Sequence, residues 1–216
     1  MRYRASTCVN LLESDNPRLV NKTWASNLQE YGSKDEDFST PEMAPQVLRS
    51  DKVKSMSDFF GGGAAVSERF KTLIESFEPD GHRFFEVSVR NEKGVEWPGR
   101  FFLWHLRLFI PCIEVDRSTM RWVRLEGVAA RDVLGWWDGS DACVNTNQTK
   151  GHHVWGAHPG SISDIFCSDE FYRECKAQKI RFLTWYKCQE TDEPWSPEGN
   201  EWPTEAQLNS EASRMG

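Results

Sequence analysis

The residues best suited to chemistry are three histidines that stand close together in the second half of the chain. His152, His153 and His158, with Cys143 or Asp164 nearby, offer the ligand types that bind zinc. Adjacent histidines rarely bind one ion in a structural site, and the sequence has no second ligand pair at the usual short spacing. A metal-dependent enzyme that uses this loop is therefore an alternative, while the prediction is that no metal or cofactor is bound.

Other kinds of catalysis have no recognisable signature. The Gly-x-Ser-x-Gly motif is absent, and no cysteine stands in a recognisable catalytic pattern. The run Gly61–Gly63 precedes a predicted helix, but no Gly-Lys-Ser/Thr follows, so it indicates a hinge or tight turn rather than a phosphate-binding loop. We therefore predict that the protein is not an enzyme.

The composition describes an acidic chain that is rich in aromatic residues. The 216 residues carry a formal net charge of -7, which argues against direct nucleic-acid binding because affinity for phosphate comes mainly from lysine and arginine. An acidic surface is compatible with a basic protein partner. Ten tryptophans and thirteen phenylalanines supply core residues, and tryptophan is also a frequent anchor at protein interfaces.

The cysteines and the N-terminus bear on the compartment. The six cysteines are scattered and form no Cys-x-x-Cys pair, which favours buried thiols in a reducing compartment. The first residues lack the apolar run of a signal peptide, and no segment is apolar enough to span a bilayer. We expect a soluble cytoplasmic protein that does not bind membranes.

Two strand–helix–strand units organise the chain. The first helix is predicted at 67–77, where Ser67 is placed to cap it and the run Glu78–Gly81 to end it, followed by a strand near 84–89. The second helix is predicted at 169–178, with Ser168 as its cap and a strand at 180–185. The likeness of the two units suggests a duplication but is too short to prove one.

The remaining segments differ in regularity. Residues 100–115 are the most apolar region and predict one or two buried strands broken at Pro111, with His105 in the core or on a sheet face. Residues 134–160 predict a long irregular loop, whose tryptophans are either exposed for binding or buried to hold the loop. Residues 189–216 predict an acidic, disordered tail.

These elements predict an α+β fold over 1–188, a single compact unit with a mixed or mainly antiparallel sheet and at least two packed helices. Two blocks then carry a family resemblance: 65–70 through 84–87, and 164–171 through 180–182, with 113–118 between them as a middle segment. Over about 45–187 the chain resembles the eleventh-numbered immunity-protein family of bacterial polymorphic toxin systems, earlier catalogued as a domain of unknown function. It departs from that pattern in the 134–160 loop and in the tail.

The resemblance implies an antidote without catalytic residues. Such a protein binds a cognate secreted toxin and protects the producing cell or its kin; an effector-loading adaptor or chaperone is the other non-enzymatic alternative. Because the surface of the chain is acidic, we expect the toxin to be basic, for example a nuclease. The predicted toxin-facing residues form two groups, the first in the loop and the second at the start of the tail: Trp136, Trp137, Asp138 and Asp141; Glu190, Asp192, Glu193 and Trp195.

Overall fold

The computed structural model describes nine segments of the chain. They are 2–7, 12–14, 47–50, 56–60, 65–124, 133–137, 142–157, 165–181 and 183–196. The predicted hinge at Gly61–Gly63 lies outside them.

The first helix, α1 (Glu68–Phe77), forms where its apolar spacing predicts it. The Ser67 hydroxyl accepts a hydrogen bond from the Phe70 N–H at 3.4 Å, which satisfies one of the amides that a helix start leaves without a partner. Phe70, Leu73 and Ile74 are buried on one face. The Glu78 N–H bonds to the Ile74 carbonyl at 2.8 Å, and the helix ends there.

The second helix, α2 (Asp169–Ala177), repeats this construction. The Ser168 hydroxyl accepts from the Phe171 N–H at 3.2 Å, and Phe171 and Cys175 face the core. Lys179 adopts a left-handed conformation with φ of 54° immediately after the helix. This turn places the following strand at 183–187, a little later than the predicted 180–185.

The strands are short, apart from the hairpin at the centre of the first unit. They are β1 (Arg2–Thr7), β2 (Leu12–Ser14), β3 (Val47–Ser50), β4 (Phe59–Phe60), β5 (Ala65–Ser67), β6 (His82–Arg90), β7 (Phe101–Leu106), β8 (Met120–Arg124), β9 (Val133–Trp137), β10 (Cys143–Asn145), β11 (Val154–Gly156), β12 (Ile165–Ser168), β13 (Leu183–Lys187) and β14 (Gln189–Thr191). Within the described segments a 3-10 turn, Val115–Arg117, precedes β8.

Two larger sheets confirm the predicted α+β class. The first has the strand order β2-β3-β6-β7-β5-β4 and the second β11-β12-β1-β13. Pairings within them are antiparallel except β3 with β6. The pairs β8–β9 and β10–β14 form two further small sheets.

The two strand–helix–strand units have the same topology. In the first, β4 pairs with β5, α1 follows, and β6 returns on the far side of β7, to which β5 and β6 are both antiparallel. In the second, β11 pairs with β12, α2 follows, and β13 returns on the far side of β1. The likeness seen in the sequence therefore corresponds to a repeated fold unit. The central strand of the first unit is β7, which follows β6 in the chain, and the central strand of the second unit is β1, the first strand of the chain.

One aromatic cluster joins the units. The ring centroids of Phe70 and Phe171 lie 6.2 Å apart, and Phe77 contacts Phe171 edge-on at 5.3 Å. Trp104 on β7 is 2% exposed and stacks on Phe84. Edge-to-face and offset rings of this kind add to the stabilisation that their burial provides. The helices and both sheets thus share one core.

The prediction of an irregular loop over 134–160 was wrong. The segment contains β9, β10 and β11, and its residues from 142 to 157 include a second buried cluster with Val144 and Trp155, both fully buried. The Trp155 indole N–H lies 3.3 Å from the Cys112 sulfur. A strand of three residues is too short to show the alternation of apolar and polar residues by which strands are recognised. The glycines and polar residues between these short strands therefore made the segment resemble a loop.

The expected buried strand and the expected buried cysteines are confirmed. The run 100–115 forms β7 and then single bridges at Phe109 and Ile113 on either side of Pro111, and His105 is buried on the sheet. The five described cysteines are buried and carry thiols rather than disulfides. Neither described helix is long and apolar enough to cross a membrane.

Candidate functional site

The start of the predicted tail is an added strand. We call Gln189–Glu193 the strap. Its first three residues, β14, run parallel to β10, with Cys143 opposite Gln189 and Asn145 opposite Thr191. The Gln189 N–H donates to the Ala142 carbonyl at 2.9 Å, and the Thr191 carbonyl accepts from the Thr146 N–H at 2.8 Å.

Side chains on and just after β10 also donate hydrogen bonds to the main-chain carbonyls of the strap. The Thr146 hydroxyl donates to the Thr191 carbonyl at 3.1 Å, the Asn147 amide to the Asp192 carbonyl at 2.7 Å, and the Asn145 amide to the Glu193 carbonyl at 3.0 Å. Asn145 is fully buried, and its amide also donates to Glu114 at 2.6 Å. Three consecutive carbonyls of the strap are therefore bound.

A single cation completes the arrangement. Arg117 pairs with the Glu193 carboxylate at 2.5 Å and donates to the Thr191 hydroxyl at 3.3 Å. Its 3-10 turn is tied to β10 because the Ser118 hydroxyl accepts from the Cys143 N–H at 2.9 Å. Burial raises the pKa of the Cys143 thiol, so this cysteine is not an activated nucleophile.

The second predicted group of partner-binding residues lies on or beside the strap. Glu190, Asp192 and Glu193 are exposed and Trp195 is half-buried. These exposed carboxylates therefore stand on a segment whose main chain is bound to β10, and that of Glu193 pairs with Arg117. The structure therefore brings these predicted residues together.

The first predicted group belongs to the two-stranded ribbon β8–β9. Trp136 pairs in register with Arg121, and Trp137 with Met120. Successive residues of a strand belong to opposite faces, so Trp136 and Trp137 belong to opposite faces of the ribbon. That the two tryptophans contact the toxin stays a prediction. Asp138 and Asp141 lie outside the described residues.

Two histidines of the candidate metal-binding group, His152 and His153, lie beside the helix ends. The His153 N–H donates to the Glu78 carboxylate at 2.5 Å, its ring nitrogen lies 2.9 Å from the Ser168 hydroxyl, and its ring packs on Phe77. His152 faces Glu78 at 3.7 Å. His158 lies outside the described segments, within which no group of three ligands can hold a metal.

Ser168, His153 and Glu170 have the residue types of a catalytic triad but not its geometry. Glu170 lies 3.9 Å from Nδ1 of His153, and the serine hydroxyl contacts that same nitrogen. A triad uses one ring nitrogen for the serine and the other for the carboxylate. Ser168 is also only 1% exposed, and its hydroxyl accepts a hydrogen bond from the Phe171 N–H. Ser168 therefore acts as the N-cap of α2.

The family assignment follows from comparison with known proteins. The model of the immunity protein family (Imm11) matches residues 13–190. The chain belongs to this family. No curated protein matches the chain.

The Imm11 match confirms the resemblance read from the two sequence blocks and extends it in both directions beyond 45–187. In this Imm11 protein the matched span contains the first repeated unit and all of the second except β1. It also contains β10 and Arg117, and it ends at Glu190 inside the strap. Sequence reasoning missed Arg117, Asn145 and Asn147. The only signal for the amides is the polar run 145–149 in an aromatic-rich region.

Proposed function

We propose that this Imm11 protein protects a cell by binding a cognate secreted toxin directly and blocking its action. The observation that carries the proposal is the strap region, where main-chain bonds hold an exposed acidic segment along β10. Exposed carboxylates held at one place on the surface attract a basic partner to that place before the two proteins dock. We place the toxin interface there and on the ribbon that carries Trp136 and Trp137.

Charge supports a basic toxin, for which a nuclease is one candidate class. The chain has a net charge of -7, and Glu190, Asp192 and Glu193 concentrate negative charge on one short segment. Opposite potentials accelerate encounter between proteins, and this effect weakens as salt screens the charges. We propose that neutralisation takes place in the cytoplasm, where buried thiols remain reduced.

The test begins with the partner itself. The protein is used as bait in its native host, the recovered toxin domain is expressed alone and with the protein, and cell survival is measured. Killing by the toxin alone and survival with the protein are expected. Binding without protection would contradict the proposal and favour a chaperone or adaptor.

The acidic surface is tested with a matched pair of variants. In Glu190→Gln/Asp192→Asn the association rate constant with the toxin should fall by roughly tenfold at low salt. The control, Glu92→Gln/Glu96→Gln, removes the same charge from exposed positions of the β6–β7 hairpin and should leave the rate unchanged. Equal effects in both variants would show that net charge, not the strap, matters.

The ribbon is tested by separate Trp136→Ala and Trp137→Ala variants. Since these residues belong to opposite faces, only one of them should weaken toxin binding in a folded protein, by about 2 kcal/mol for a buried anchor. Unchanged affinity in both variants would exclude the ribbon from the interface.

A further inference from the structure

The groove that holds the strap recognises main chain rather than side chains. We call Cys143–Asn147 together with Arg117 the groove. Its bonds reach the carbonyls of Thr191, Asp192 and Glu193, which every amino acid possesses. Arg117 adds one requirement, a carboxylate at the position of Glu193. A site of this kind binds any extended strand of suitable register, as proteins that accept an added strand do.

The occupant of the groove is held by few apolar contacts. Gln189, Glu190, Asp192 and Glu193 are exposed, and Cys188, just before the strap, is the nearest buried apolar residue along the chain. The pairing with β10 covers three residues and is parallel, the less stable form of strand pairing. Segments with little buried apolar surface open at lower free energy than the core.

We propose that the groove is a binding site for an extended peptide strand, which the strap occupies in cis and a strand of the toxin occupies in the neutralised complex. The site takes three consecutive main-chain carbonyls in parallel register with β10 and one carboxylate opposite Arg117. The toxin-strand part rests on the proposed function above. Glu190 and Asp192 then affect the rate of encounter while the strap still occupies the groove, and they leave the groove with the strap when the toxin strand enters it.

Because the strap belongs to the same chain as the groove, it competes with any peptide that is added. A tethered strand has an effective concentration of the order of millimolar, so a free peptide competes poorly with the intact strap. Weakening the strap without changing the groove should therefore reveal the site. Thr191→Pro does this, because proline has no N–H for the ladder and the groove residues remain intact.

The probe is a fluorescent peptide with the sequence of residues 187–196, in which serine replaces Cys188. Anisotropy should show binding to Thr191→Pro at least about tenfold tighter than to the unaltered chain, since the competing cis strand is weakened. Adding Asn147→Ala to the Thr191→Pro chain removes the bond to the Asp192 carbonyl and should weaken peptide binding again. A peptide with proline in place of Thr191 should not bind.

A second measurement uses the unaltered protein. Cys143 pairs with Gln189 of the strap and is 3% exposed, so its alkylation is expected to respond to strap opening. Labelling of Cys143 and hydrogen exchange of the strap amides should both be faster than global unfolding allows. Strap amides that exchange only with global unfolding would overturn the proposal, as would a folded Thr191→Pro chain that does not bind the peptide.

The failure of this inference and of the proposed function can be told apart. Cell protection with no peptide binding would overturn the strand site and leave neutralisation intact. Peptide binding without protection would overturn neutralisation and with it the toxin strand as occupant, while the peptide site itself would stand.

Discussion

Asp58 and His153 occupy equivalent positions in the two repeated units. The Asp58 carbonyl accepts from the Ser67 N–H at 2.9 Å, and the His153 carbonyl accepts from the Ser168 N–H at 3.0 Å. Their side chains also contact the capping hydroxyls, at 2.7 Å for Asp58 and 2.9 Å for His153. Each therefore fixes the serine that starts the following helix.

The acidic and basic residue types are exchanged between the two arrangements. Asp58 pairs with Arg69, the second residue of α1, whereas His153 faces Glu170, the second residue of α2. Asp58 also accepts the Arg181 N–H at 2.8 Å. Burial would raise the pKa of Asp58, but the hydrogen bonds from Arg69, Ser67 and Arg181 outweigh it and hold that pKa below its ordinary value.

Asp58→Asn should strongly destabilise the protein. The change removes a buried carboxylate from Arg69, which also donates to the carbonyls of Gln178 and Lys179 after α2. Breaking a buried ion pair costs about 3–5 kcal/mol, and the partly exposed Arg69 reduces this to about 2 kcal/mol. Urea denaturation of the purified variant measures it.

The matched control for Asp58→Asn is Glu86→Gln, which removes an exposed carboxylate bound to Arg100. Its effect on the free energy of unfolding should be much smaller, because exposed ion pairs contribute little. Equal effects of the two changes would show that burial of Asp58 is not what makes its pairing important.

Loss of either helix cap should destabilise the protein by a similar amount. Ser67→Ala removes the cap bond and also the hydroxyl that donates to Asp58, so about 2 kcal/mol is expected. Ser168→Ala removes the cap and the hydroxyl partner of His153, so about 2 kcal/mol is expected there as well. Thermal and urea unfolding measure both, and Ser67→Thr and Ser168→Thr should recover part of the loss. An unchanged free energy of unfolding in either variant would contradict the assignment of that serine as a cap.

Stability should fall in weakly acidic solution because of His82. Burial lowers the pKa of His82 to about 4 from an ordinary value of 6.5. As pH falls below about 6.5 the unfolded chain binds the proton first, so stability is complete above that pH and declines toward pH 4. The full loss is roughly 3 kcal/mol for this residue.

The measurement compares urea denaturation of the protein and of His82→Phe at pH 7.5 and pH 5. The variant should show a smaller loss between the two values. His105, with its pKa also lowered to about 4 by burial and then by Arg107 and Arg83, keeps part of the dependence. The ring of His82 contacts Trp104 edge-on at 5.4 Å, and Phe84 stacks on the same tryptophan. Phe84→Leu should therefore lower stability without altering its pH dependence. An unchanged pH dependence in His82→Phe would contradict the prediction.

Gly156 should resist substitution because of a close approach. A Cβ there would lie 2.7 Å from the ring of Phe109 and 2.9 Å from Leu106. Gly156→Ala should therefore cost about 1–3 kcal/mol. Adding Phe109→Leu should recover part of the loss, whereas Phe109→Leu alone should destabilise. Thermal denaturation of the three variants distinguishes this from a general weakness of β11.

Local patterns were enough to predict the helices. Serine caps, apolar residues three and four apart and the stop at Glu78–Gly81 act within one or two turns, so α1 and α2 were predicted almost to the residue. The same blocks carried the family resemblance that the match over 13–190 confirmed.

Pairings between distant residues were decided by the tertiary structure. β1 lies between β12 and β13, more than 150 residues later, and the strap lies along β10 with 43 residues between their last and first positions. Strands of three residues carry too little periodicity to identify, and their partners are chosen by long-range hydrogen bonding and shared burial. The groove at β10 therefore has no local signature: Asn145, Asn147 and Arg117 become a binding site only when the chain brings the strap back to them.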